Sequence, residues 1–145
     1  MAKRVHAAGG VICRFFQIGE DDSRSSDGAR YGAGGDDAVA YGAGGLIACT
    51  GNSYYQFAQT NTKAHALELT DYLEKKVTLD SPINIHLTGC PNSCAQHYMG
   101  DIGLLGTKVR GGEGYHVFIG GGFGVNRAIG RQIFTGVTVN DLKPT

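Results

Sequence analysis

The sequence has no tryptophan, only three prolines, no excess of either charge and no long hydrophobic run. Each absence removes a class of protein. Thirteen basic residues balance thirteen acidic ones, and no basic cluster interleaved with aromatics appears, so nucleic acid is not an expected partner. No apolar stretch approaches the roughly 20 residues of a membrane-spanning helix, so no membrane partner is expected either. The opening Met1-Ala-Lys-Arg-Val-His6 leads into an apolar run too short and too glycine-broken for a secretory signal. Without that signal, four cysteines read as reduced thiols with ligand duty rather than as a disulfide framework. The expected location is cytoplasmic.

What is abundant is glycine, 24 of 145 residues, about twice the usual share. The glycines cluster, and the first cluster divides the chain. Residues 1–45 form a glycine-rich, partly flexible segment with one candidate strand near Gly10–Ile18, and Tyr-Gly-Ala-Gly-Gly occurs in it twice, at Tyr31–Gly35 and Tyr41–Gly45. Two copies are too few for a repeat architecture. No Lys-Ser/Thr follows the glycines as a phosphate-cradling loop requires, so a loop that cannot bury enough apolar surface is the expectation.

Residues 46–145 carry the patterned part. Gly45–Cys49 reads as a short buried strand and Thr50–Ser53 as a turn. Ala66, Leu69, Leu73 and Val77 mark one face of a helix from about Thr62 to Val77, with Lys75 and Lys76 suited to its C-terminal end. Ser81-Pro82 ends it. Ile83–Leu87 is a strand. Asp101–Val109 and Gly114–Gly120 form an antiparallel pair around the Arg110–Glu113 turn. Gly120–Asn126 is a tight loop, Arg127–Phe134 is predicted helical with Gly136 ending it, and Val137 opens a further element. The order predicts an α/β (or α+β) fold with a mixed sheet flanked by helices.

The sharpest chemical signal is Thr88-Gly-Cys-Pro-Asn-Ser-Cys94. Cys90 and Cys94 stand behind a strand, with a glycine turn at Gly89 and Pro91 suited to the first turn of a helix. A helix start carrying both sulfurs would favour thiolates and what they bind. Cys49 also follows a predicted strand. Three readings remain open from spacing alone: an iron–sulfur cluster, a zinc site completed by His86 or His97, or inert buried thiols. Among the histidines, His65 is expected to be exposed on its helix, His86 to be a hydrogen-bonded core residue, and His116 to lie on the wet face of a strand. His97 and Tyr98 lie close enough to the thiols in sequence to approach a cofactor.

Four blocks in order, Leu46-Ile-Ala-Cys-Thr-Gly-Asn52, Thr88-Gly-Cys-Pro-Asn-Ser-Cys94, Asp101-Ile-Gly-Leu-Leu-Gly106 and Gly120-Gly-Gly-Phe-Gly124, resemble the nitrite and sulfite reductases that contain sirohaem and a [4Fe–4S] cluster. The cysteine blocks look closer to the ferredoxin-dependent nitrite reductases. The resemblance covers about Leu46 to Leu142. It implies a sirohaem-domain-like fold, with Cys49, Cys90 and Cys94 as cluster ligands and Cys94 bridging to the sirohaem iron. It also implies six-electron reduction of nitrite to ammonia in the complete enzyme, fed by ferredoxin or an NAD(P)H-linked donor. A sulfite reductase domain is the alternative within the family. Lys108, Arg110, Arg127 and Arg131 are candidates for sirohaem carboxylates, against ordinary surface charge.

Two departures qualify the resemblance. Six residues after Cys49, where the family has its second cluster cysteine, stands Tyr55, a hard oxygen donor in place of a soft thiolate. Cys13 is the only spare thiol. The chain is also too short to carry the family's substrate-binding half, and it stops where a further helix is expected. A fragment or stand-alone remnant, truncated at its C-terminus and unable to turn over nitrite alone, is therefore expected. A remnant with an empty or zinc-filled site is the alternative. Self-association into a homodimer would hide surfaces left by a missing half.

Overall fold

The computed structural model describes residues 45–76, 83–122, 125 and 127–143. The candidate strand near Gly10, Cys13, the first Tyr-Gly-Ala-Gly-Gly copy and most of the second lie outside the described residues, as do Val77, Ser81-Pro82 and Phe123-Gly124.

Among the described residues, five strands form one mixed sheet in the order β1 (Gly45–Ala48), β2 (Asn84–Thr88), β3 (Ile102–Val109), β4 (Gly112–Ile119), β5 (Arg131–Thr138). β1, β2 and β3 pair in parallel, β4 pairs antiparallel with β3, and β5 pairs antiparallel with β4. The helix α1 (Thr62–Lys76) connects β1 to β2, and a short helix α2 (Val139–Leu142) follows β5. The predicted α/β class with a mixed sheet is what the chain adopts.

Alternation along the strands decides which side each residue faces. Ile85 and Leu87 of β2 sit in register with Ile102 and Leu104 of β3, and all four are at most 3% exposed. The predicted helix face meets them: Ala66, Leu69 and Leu73 are buried in the same cluster, with Tyr115, Val117 and Leu142. Asn61 starts α1, its side-chain oxygen accepting the Ala64 N–H at 3.3 Å, which satisfies one otherwise unpaired donor of the first turn. Lys75 and Lys76 occupy the last turn, as the dipole favours.

The other face carries His86, Gly103 and Phe118, again in register. The connection from β2 to β3 crosses this face. It contains one 3-10 turn, His97–Met99, and packs so closely that a Cβ on Gly103 would overlap the His97 carbonyl. Gly121 sits equally close to the Tyr98 and Gly100 carbonyl oxygens. The tight loop expected at Gly120–Asn126 therefore begins as a packing contact within the domain.

Two expectations fail. Arg127–Phe134 is not helical: Gly122 and Ala128 form an isolated antiparallel bridge, and Arg131 onward is β5. Ile133, Phe134, Thr135, Val137 and Thr138 are strand formers, and the open edge of β4 offers them backbone partners that a lone helix would lack. Gly136, with φ of +65°, does not cap a helix. It lies in a bulge where Tyr115 pairs with Val137 and Val117 with Phe134, placing an extra residue on β5. Val137 consequently belongs to β5, and α2 begins only after Thr138, whose side chain accepts the Asp141 N–H at 3.2 Å.

Candidate metal centre

Parallel pairing brings the cysteines together. Ala48 pairs with Leu87, and the Cys49 N–H donates to the Leu87 carbonyl at 3.0 Å. Cys49 and Cys90 thus both follow the C-terminal ends of adjacent parallel strands, where open α/β sheets hold ligands. The Gly89 N–H donates to Cys49 Sγ at 3.1 Å. The Thr62 hydroxyl donates to the Cys49 carbonyl at 2.8 Å and lies 3.6 Å from its sulfur. Cys90 is buried, Cys49 is intermediate and Cys94 is exposed. All three are free thiols.

The expected helix start at Cys90 is absent. Cys90–Ser93 is a turn, closed by the Ser93 N–H on the Cys90 carbonyl at 3.2 Å, and Pro91 suits its second position as well as it suits a helix. Ser93 (φ +57°) and Gln96 (φ +52°) are left-handed, which no α-helix accommodates. The Ala95 and Gln96 carbonyls are taken instead by His86 Nδ1, at 2.8 and 3.1 Å. His86 is the core histidine expected from sequence, and it ties the thiol loop to the sheet. Its Nε2 is buried and unpaired, as is His97 Nδ1. Burial, then the neighbouring His86, pushes the His97 pKa down.

The loop after β1 is drawn over the same site. The Gln59 N–H donates to the Gly89 carbonyl at 2.7 Å, and the Asn52 N–H to the Thr60 carbonyl at 2.9 Å. Gly89 and Gly106 leave room for this backbone: a Cβ on Gly89 would meet Ala58 Cβ at 3.0 Å, and one on Gly106 the Gly89 carbonyl at 2.8 Å. Tyr55 lies in this loop, and its phenol oxygen accepts a hydrogen bond from Asn92 Nδ2 at 3.2 Å. The structure therefore places Tyr55 against the turn between Cys90 and Cys94.

Glu113 fastens both ends of that loop, a role the sequence did not signal beyond a charge in a turn. Its carboxylate accepts from Asn52 Nδ2 at 2.6 Å and from the Asn61 N–H at 2.7 Å. Burial works against this charge, but the Asn61 and Asn52 bonds, with Lys108 and His65 nearby, hold the carboxyl below its usual value. His65 is not exposed as expected: its Nδ1 lies 2.9 Å from the Tyr115 hydroxyl and its Nε2 3.7 Å from Glu113. Burial lowers the His65 pKa despite Glu113, and raises that of Tyr115. His116 is also half-buried rather than wet, its Nδ1 accepting the Gly136 N–H at 3.2 Å. Lys108 pairs with Glu113 at 3.7 Å, while Arg110, Arg127 and Arg131 are exposed.

Among the described residues, no three His, Cys, Asp or Glu side chains converge closely enough to hold a single metal ion. His86 spends Nδ1 on loop carbonyls and His97 packs edge-on to Phe118 at 4.7 Å between ring centroids. Neither completes a zinc site with the thiols. Three thiols with a backbone N–H on one sulfur are a donor set that suits three irons of a cluster.

Comparison with known proteins identifies the family. A profile of the nitrite and sulphite reductase 4Fe-4S domain matches residues 43–144. The chain is 43% identical over 102 residues to a ferredoxin–nitrite reductase of Synechococcus elongatus, covering 68% of this chain and 20% of that one. It is 39% identical to a chloroplastic ferredoxin–nitrite reductase of Pinus sylvestris, over 57% of this chain and 83% of that sequence. The solved structure of the Mycobacterium tuberculosis NirA protein superposes with a TM-score of 0.55 at 34% identity, over 66% of this chain and 19% of that one. The chain spans about a fifth of the length of the cyanobacterial relative. By sequence and fold, this chain belongs to the family of the nitrite and sulphite reductase 4Fe-4S domain.

Proposed function

We propose that the chain is the iron–sulfur and sirohaem-binding part of a ferredoxin-dependent nitrite reductase, with Cys49, Cys90 and Cys94 as cluster ligands. The observation that carries this is the placing of Cys49 and Cys90 just past the C-terminal ends of the paired strands β1 and β2, with the Gly89 N–H on Cys49 Sγ and Cys94 exposed on the loop that follows. The names of the relatives support nitrite as substrate and ferredoxin as donor. When bound, the cluster and sirohaem supply one-electron transfers, six of which take nitrite to ammonia.

The chain's own residues bind and tune. The N–H on the Cys49 sulfur stabilises negative charge there, a recognised control on cluster potential. Buried Cys90 faces the dry interior, whereas exposed Cys94 is accessible to a second group, as a bridging sulfur requires. His86 fixes the loop that carries both. Substrate-binding groups are supplied by the rest of a longer enzyme in this reading, so the chain alone does not reduce nitrite.

The test is iron, zinc and acid-labile sulfide content of anaerobically purified chain, with its visible spectrum. Iron and sulfide in equal amounts, lost together in Cys90→Ser and Cys94→Ser, are expected. Stoichiometric zinc without iron, or no metal at all, would mark a remnant that has lost the cofactor.

A further inference from the structure

We propose that Tyr55 supplies the fourth ligand of this centre, a phenolate oxygen in place of the thiolate that the family resemblance implies at this position. This rests on the cluster reading above and concerns its unique corner. Three thiolates account for three irons of a [4Fe–4S] cluster and leave one without a protein sulfur. Among the described residues Cys49, Cys90 and Cys94 are the only thiols.

The fold delivers a specific oxygen to this place. Tyr55 sits on a loop whose two ends are clamped by Glu113 through Asn52 and Asn61. Within the loop the Tyr55 N–H donates to the Gly51 carbonyl at 3.1 Å, and the Tyr55 carbonyl accepts from Ala58 at 3.0 Å. Its backbone is therefore held at both polar groups, and its ring rests edge-on to Phe57 at 5.6 Å. The phenol oxygen then reaches Asn92, two residues from each of Cys90 and Cys94. Asn92 donates and Tyr55 accepts.

The chemistry is consistent with iron. Ferric iron accepts hard oxygen donors, and tyrosinate is an established protein ligand to iron. Coordination forms one O–Fe bond and releases the phenol proton to solvent, with no change in oxidation state. A hard anionic donor stabilises the ferric form, so the corner bound by Tyr55 differs from the other three in both lability and potential.

The experiment reconstitutes the full chain anaerobically with ferrous iron and sulfide, in wild type, Tyr55→Phe and Tyr55→Cys. Iron and sulfide are counted, and electron paramagnetic resonance and resonance Raman spectra are recorded. Wild type is expected to hold about four irons and to show phenolate vibrations enhanced by an iron charge-transfer band. Tyr55→Phe is expected to lose those vibrations and one iron of about four, and to show the resonance of an oxidised three-iron cluster once ferricyanide is added as the one-electron acceptor. Tyr55→Cys is expected to restore the fourth iron without the phenolate bands. Because Tyr55 is exposed, circular dichroism should show all three variants folded. A wild-type cluster whose iron count and spectra survive Tyr55→Phe unchanged overturns the ligand assignment while leaving the cluster reading intact. Failure of all three proteins to take up iron overturns both.

Discussion

Ile85, Leu87, Ile102 and Leu104, on β2 and β3, are at most 3% exposed, whereas Ile133 and Phe134, on β5, are each 43% exposed. The two ends of one sheet are thus held differently. The parallel end lies beneath α1 on one face and beneath the thiol loop on the other. Its loops are fixed by side chains from distant positions: His86 on the Ala95 and Gln96 carbonyls, Glu113 on Asn52 and Asn61. The outer end is held through the backbone ladder of β4 and β5, with two bulges that re-aim its side chains. A site that must keep donors in fixed positions sits where packing and polar contacts over-determine the chain. The outer strand can change sequence without disturbing it.

Four measurements would break or sharpen this contrast. The largest effect is expected from Gly103→Ala, because its Cβ would overlap the His97 carbonyl and force the thiol loop off the sheet. A loss of about 3 kcal/mol is expected, read as a fall in Tm of more than about 10 °C. An unchanged Tm would mean that the loop is not tightly seated. Next is Glu113→Gln, which keeps an acceptor but removes the charge on the Asn61 N–H and Asn52 amide. About 1–2 kcal/mol should be lost, with faster hydrogen exchange at Asn61 and little change at the β4–β5 ladder. Equal acceleration in both places would remove the distinction.

Acid should weaken the same end. His65 is held below its ordinary 6.5 and Glu113 below 4.5, so the folded chain binds fewer protons than the unfolded chain. Their stabilisation is complete above those ordinary values and is lost as pH falls through the lowered ones. Tm should therefore decline in two stages on acidification, the first beginning below 6.5 and the second below 4.5. His65→Gln should shrink the first stage, to which the likewise lowered His97 also contributes, and a first stage of unchanged size would assign it to His97 alone. The smallest effect is expected from Ile133→Thr on β5, within about 0.5 kcal/mol. A large loss there would show that the outer face is buried against something in solution.

How far each region could be read beforehand follows the same division. β1, α1, β2 and the β3–β4 hairpin were legible because their apolar periodicity reports burial that happens locally, as Leu69 and Leu73 show. The thiols were legible because their spacing is chemical. β5 was not: Arg127–Phe134 carries a pattern compatible with a helix, and only the unpaired edge of β4 selects a strand. The thiol turn was misread for a related reason, since Pro91 fits a helix start and a β-turn equally. His86, nine residues from Ala95 in sequence, decides between them. Glu113 gave no signal at all, because its partners Asn52 and Asn61 lie far away along the chain.

The sequence by itself determined the family and the α/β class with a mixed sheet, since these follow from residue type and short-range spacing. Tertiary structure alone decided that Tyr55 lies against the Cys90–Cys94 turn, that Glu113 clamps its loop, and that the last strand is a strand. Each of these depends on hydrogen bonds between segments far apart in sequence, whose partners exist only once the sheet has formed.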